Sequence, residues 1–129
     1  MLSIIVPVAG VLLAFVLGDR YVRLVACAII PFGLAIAVAI LVALPESKGP
    51  IVYLLGAWPP PLGIALRADG LSAVMLAAAA AVICAVAVFA AADFSPATAE
   101  TRAPFAFWIL LLAIWGALNT IFLGGDLFT

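Results

Sequence analysis

Side chains that do most protein chemistry are scarce in this sequence. There is no histidine, so the common general base, metal ligand and neutral-pH proton carrier is missing. The two cysteines, Cys27 and Cys84, each lie inside a long apolar stretch. They read as small buried thiols rather than as a disulfide or metal pair. No CxxC, HExxH or GxGxxG pattern occurs. The ionisable set is five Lys or Arg and six Asp or Glu. No nucleophile and base stand at a useful spacing, so the chain is expected not to be an enzyme. No catalytic, cofactor or metal site is assigned. A net charge of −1 leaves no basic patch to attract phosphates, which argues against nucleic acid as a partner.

Three polar residues remain as candidates. Asp69 stands just before Gly70-Leu71-Ser72, where a carboxylate caps the free amides of a helix start. Asp126 follows Gly124-Gly125 and precedes Leu127-Phe128, the place of a cap for a further helix. That order favours a truncated or split polypeptide over a frayed terminus. Asn119 sits in an apolar stretch, four residues after Trp115 and eleven after Trp108, so the three share roughly one helix face. An amide in lipid needs a partner. Asn119 is therefore read as glue between helices, with the lining of a hydrated path as the alternative. All three residues are given structural or path-adjacent roles.

The elements that position these residues follow from composition. The chain is 70% hydrophobic and 9% charged, with a mean hydropathy of +1.47. Soluble domains have about 45–50% apolar and about 25% charged residues. So few charges cannot cover a globule in water, and the solvent of this chain is lipid. Four apolar runs stand out: Leu2–Leu17, Leu24–Leu44, Leu71–Ala92 and Phe105–Leu123. No charge falls inside any of them. A charge at mid-bilayer costs about 2.5–3.5 kcal/mol, which explains the exclusion. The first run is the shortest. Nothing basic precedes it, so it reads as a retained helix and not as a cleaved signal peptide. Pro7 in that run frees a carbonyl that a neighbouring helix or water has to satisfy. Ala77–Ala81 allows close helix approach.

The connections set the topology. Gly18–Arg23 reads as a tight polar turn, Pro45–Gly70 as a long link, and Asp93–Pro104 as a polar link in which Ser95-Pro96 marks a helix start. With alternating helices, Arg20, Arg23 and Arg102 share one side, and Lys48 and Arg67 the other. The excess places the amino terminus outside. In the long link, Ile51–Leu55 and Leu62–Arg67 flank Gly56-Ala57-Trp58-Pro59-Pro60-Pro61. This reads as a β-hairpin at the membrane surface, or as a loop dipping into the interface. The expected fold is all-α: a polytopic four-helix transmembrane bundle forming one domain over residues 1–129. A short extracytoplasmic hairpin, at about residues 51–67, joins the second and third helices.

The stretch from Gly56 to Ala73, Gly-Ala-Trp-Pro-Pro-Pro-Leu-Gly-Ile-Ala-Leu-Arg-Ala-Asp-Gly-Leu-Ser-Ala, resembles the link between the second and third helices of proton-conducting antiporter-like proteins. These are the large Mrp-type cation/proton antiporter subunits, especially the D-type, and their relatives in respiratory complex I and membrane-bound hydrogenases. Gly125-Asp126-Leu127-Phe128 resembles the motif that opens the family's fifth helix. The resemblance implies two inverted helical repeats and an outward hairpin after the second helix. It also implies an ion path built on a glutamate in the fifth helix and lysines in later ones. This sequence ends before the first of those, so no path residue carries over. Asp69 and Asp126 match motif carboxylates at helix ends and are read as caps. The function expected is that of the amino-terminal segment of a proton- or cation-translocating subunit in a redox-linked or Mrp-type complex. The alternative is a small structural or assembly subunit. Expected partners are the bilayer and other subunits or a missing carboxy-terminal portion, in the cell (inner) membrane.

Overall fold

The computed structural model describes residues 1–46, 48–58, 63, 65–94 and 103–124. Its helices are α1 (Leu2–Leu17), α2 (Asp19–Ala43), α3 (Gly70–Asp93) and α4 (Ala103–Leu123). Between α2 and α3 lie two strands, β1 (Ile51–Leu54) and β2 (Ala65–Ala68). In lipid every backbone amide has to be paired within its own segment, and a helix does this for an apolar run. The chain is a multi-pass membrane helix bundle. The segment from α2 through Glu46, α3 and α4 are each long and apolar enough to cross a bilayer. The helix α1 has 16 residues. At about 1.5 Å per residue it is short of a hydrocarbon core of about 30 Å.

Three of the four apolar runs match their helices to within two residues. The second does not. The expected turn over residues 18–23 contracts to Gly18, whose φ of 75° reverses the chain, and α2 starts at once with Asp19. Charge marks the membrane boundary, and it need not mark a helix end. Asp19 favours the positive end of α2. Arg23, one turn further, donates from Nη2 to the carbonyl of Ala91 at 2.9 Å, in the last turn of α3. That satisfies a carbonyl which the end of α3 leaves free.

The surface hairpin is present. β1 and β2 pair antiparallel, with Ile51 opposite Ala68 and Leu54 opposite Ala65. Leu66 and Ala68 are buried, whereas β1 is exposed along its length. β2 packs on α3 and α4, and Leu66 bridges to Gly124 just past the end of α4. The hairpin thus covers the end of the bundle where α3 begins and α4 finishes. Tyr53 and Trp58 are exposed there. The expected helix start at Ser95-Pro96, and Glu100, Arg102, Pro59, Pro60 and Pro61, lie outside the described residues.

The bundle is an up-and-down ring. Each helix packs on the next, α4 closes on α1, and α2 also meets α4 across the middle. Buried positions recur in steps of three and four: Ser3, Pro7, Gly10 and Ala14 on α1, then Val22, Ala26, Ile30, Gly33 and Ala37 on α2. That is the spacing of a helix that turns one stripe toward its neighbours. The stripe of α3 is mostly alanine. Bulk comes from α4, where Trp108, Leu112 and Trp115 are essentially fully buried. Small residues on three helices thus make room for large ones on the fourth. The outer faces are apolar, with Val16 83% and Phe89 74% exposed. Such surfaces suit acyl chains and not water.

Candidate functional site at the contact of α1 and α4

Proline at position 7 has no amide to give, so the Ser3 carbonyl one turn earlier loses its helical donor. Asn119 of α4 supplies the replacement. Its Nδ2 donates to the Ser3 carbonyl at 2.7 Å, in a fully buried contact. Ser3 is 4% and Asn119 2% exposed. Two features in separate helices therefore solve one problem. The proline that breaks the ladder of α1 and the amide that α4 could not leave unpaired in lipid satisfy each other. The bond also fixes the register of α1 against α4 and assigns the amide orientation, since the reverse would set oxygen against oxygen.

The rest of this contact is shaped by size. A Cβ on Gly116 would meet Pro7 and Val8 at ordinary van der Waals distance. Thr120, one turn on, turns its hydroxyl back to the Gly116 carbonyl at 2.9 Å and so presents no free donor to lipid. Toward the middle of the bundle the Trp115 indole lies on Gly33. A Cβ built on Gly33 would stand 2.1 Å from Trp115 Cη2. Only glycine fits beneath that ring. Trp108, Trp115 and Asn119 are all buried, as their shared face requires.

Two polar atoms in this region remain without partners among the described residues: Trp115 Nε1 and Asn119 Oδ1. Both are on α4, four residues apart, on the same buried face.

Asp69 is elsewhere, at the start of α3 beneath the hairpin. Its Oδ1 accepts from the Ser72 amide at 2.8 Å, the N-cap arrangement that its position announces. The Ser72 amide, then the Ser72 hydroxyl, hold the carboxyl below its ordinary value, with a smaller contribution from the charge of Arg67. Asp69 is thus an ionised cap. Asp126 lies outside the described residues, as does the Gly125-to-Phe128 motif. Cys27 and Cys84 are free thiols on α2 and α3. Cys27 is exposed, contrary to the expected burial, because its position on α2 faces away from the bundle stripe. Among the described residues no three His, Cys, Asp or Glu side chains gather in a way that holds a metal ion.

The sequence pointed to Asn119 and to the unmet need created by Pro7, but not to their union. It missed Ser3 and Gly33 altogether. Ser3 was findable as the residue four before a membrane proline. Gly33 carried no signal beyond being a glycine in a helix.

No protein-family model matches the sequence, and no curated protein matches it. Among solved structures, a chain of the membrane-bound sulfane sulfur reductase, an archaeal respiratory membrane complex, superposes on 97% of this chain with a TM-score of 0.82. The two share a fold. Sequence identity is 23%, and this chain spans 25% of the length of that one. The likeness includes nearly the whole four-helix bundle described above, so the bundle is an architecture that a respiratory membrane complex uses as one part of a longer chain.

Proposed function

We propose that this chain is the four-helix module of an antiporter-like subunit in a multi-subunit membrane complex that moves protons or cations. The observation carrying this reading is the superposition of 97% of the chain on a quarter of a chain from a respiratory membrane complex. The resemblance of residues 56–73 to the antiporter-like link, with Asp69 acting as the cap of the helix that follows, supports the same reading.

The module contributes position and not chemistry. Among the described residues, each charge lies toward a helix end or in a connection. A translocation path needs ionisable groups at mid-membrane. In this reading those groups belong to helices beyond these 129 residues. What the module supplies is a packed, lipid-facing wall: α4 locked to α1 through Asn119, and a hairpin seated over one end. The amino terminus and the hairpin are extracytoplasmic, and the first turns of α2, with Arg20 and Arg23, face the cytoplasm of a cell (inner) membrane. The chain performs no covalent step and uses no cofactor of its own.

Proton flux into liposomes tests this. The purified chain alone is expected to leak no more than empty vesicles, and the complex that contains it to conduct. Flux from the isolated chain would place an ion path within these four helices and overturn the proposal. A complex that contains the chain but conducts no ion would favour the structural-subunit reading.

A further inference from the structure

We infer that the outer groove between α2 and α3 seats one acyl chain of an anionic phospholipid, with the Arg23 guanidinium holding the lipid phosphate. Two adjoining hollows, of about 240 and 630 Å³, lie along this helix pair and share Cys84 and Val88. The first takes in Cys27 and Ala91. The second runs on to Leu34 and Ala81. Arg23 stands at the mouth. It is one helical turn before Cys27, and its Nη2 donates to the Ala91 carbonyl at 2.9 Å, tying α2 to α3 across the end of the groove. Arg23 is exposed, and no other group among the described residues takes its remaining N–H bonds. Asp19 and Asp93 share this end of the bundle, but neither forms an ion pair with Arg23.

Depth and charge together select the occupant. From Ala91 back to Ala81 is about 15 Å of helix, at about 1.5 Å per residue. That is half of a hydrocarbon core about 30 Å thick, the depth of a single leaflet. Arg23 marks the membrane surface, because charge stays out of the hydrocarbon. The groove therefore starts at headgroup level and reaches mid-membrane, as one acyl chain does. A transmembrane helix needs a seat through both leaflets, and these two hollows lie in one. A guanidinium with N–H groups to spare, set over an apolar groove, matches a phosphate above a hydrocarbon tail. The leaflet is the one opposite the hairpin, since β2 packs where α3 begins and the mouth lies where α3 ends. The inference does not depend on the proposed function, because it concerns how the outer face of this bundle meets its own solvent.

Native mass spectrometry of the full chain in mild detergent tests this, with phosphatidylglycerol and phosphatidylcholine of identical acyl chains in competition. One phosphatidylglycerol should be retained preferentially, by about five-fold, the usual gain from one basic residue facing anionic lipid. Arg23→Gln should remove the preference. Lys48→Gln, the same loss of charge on the hairpin side, should keep it. Val88→Trp, at an exposed position, should weaken retention of both lipids by filling the groove. Cys84 reports on the groove itself. In a Cys27→Ala chain it is the sole thiol, and phosphatidylglycerol should slow its alkylation more than phosphatidylcholine does. Equal retention of the two lipids by the native chain would overturn the inference, and that reading needs no variant that must fold. Loss of the preference in Lys48→Gln as well would overturn it too, since net charge and not the groove would then choose the lipid. Dimers that exclude lipid and separate in Val88→Trp would assign the groove to a second copy of the chain instead.

Discussion

Replacing Asn119 by leucine should destabilise the bundle, and replacing Pro7 by alanine should remove most of that effect. Asn119→Leu keeps the number and branching of the side chain's heavy atoms but takes away the donor to the Ser3 carbonyl. A buried acceptor left unpaired costs about 1–3 kcal/mol. Hydrogen bonds between membrane helices measure lower, about 0.6 kcal/mol on average and up to about 1.7. The contact is short and almost fully buried, so a loss of about 1–2 kcal/mol is expected. That is roughly a 5–30-fold shift in the unfolding equilibrium. In the Pro7→Ala background, the new amide at position 7 reaches the Ser3 carbonyl within α1. Asn119→Leu should then cost less than about 0.5 kcal/mol, the usual additivity error. Equilibrium unfolding of the four proteins of this cycle in bicelles, followed by helical circular dichroism, gives the coupling directly. An equal cost of Asn119→Leu in both backgrounds would refute the argument that Pro7 is why Asn119 is there.

Gly33→Ala should destabilise by about 1–3 kcal/mol, the usual cost of overpacking, because its Cβ would lie 2.1 Å from the Trp115 ring. Trp115→Leu in the same chain should recover part of this, and additive losses in the cycle would show that the two do not touch. Asp69→Ala should lower stability, while Asp69→Asn, which keeps an accepting oxygen, should largely spare it. The carboxyl of Asp69 is held below its ordinary value, so its stabilisation is present above that value and is lost as pH falls through the lowered one. The acid limb of unfolding should therefore be shallower in Asp69→Asn than in the native chain, and identical limbs would contradict the cap. For topology, single cysteines in a Cys27→Ala, Cys84→Ala background decide. In intact cells an impermeant maleimide should label Gly49→Cys on the hairpin side but not Asp93→Cys, and the reverse pattern would invert the proposed orientation.

The spans were legible because lipid imposes a simple rule: charge stays out of the hydrocarbon. The same rule misled at the start of α2. Asp19, Arg20 and Arg23 mark the membrane surface, and the helix runs through them because interfacial charges do not interrupt backbone pairing. Asp69 was legible as a cap because capping is local, with donor and acceptor three residues apart. The partner of Asn119 was not, since Ser3 stands 116 residues away and only the closure of α4 on α1 brings them together. Gly33 under Trp115 is a match of sizes between helices, and hydropathy has no term for size. The hairpin was readable as two short β-prone stretches. Its seat on Gly124 depends on where α4 ends, which no local pattern encodes.

The central claim is that this bundle works as one part of a larger ion-moving membrane assembly. Native electrophoresis of mildly solubilised membranes, with the subunits in the band identified by mass, tests it most directly. The account predicts that the chain migrates far above its own 13.2 kDa, together with polytopic partners that carry glutamate and lysine at mid-membrane. A band containing only copies of this chain would contradict it.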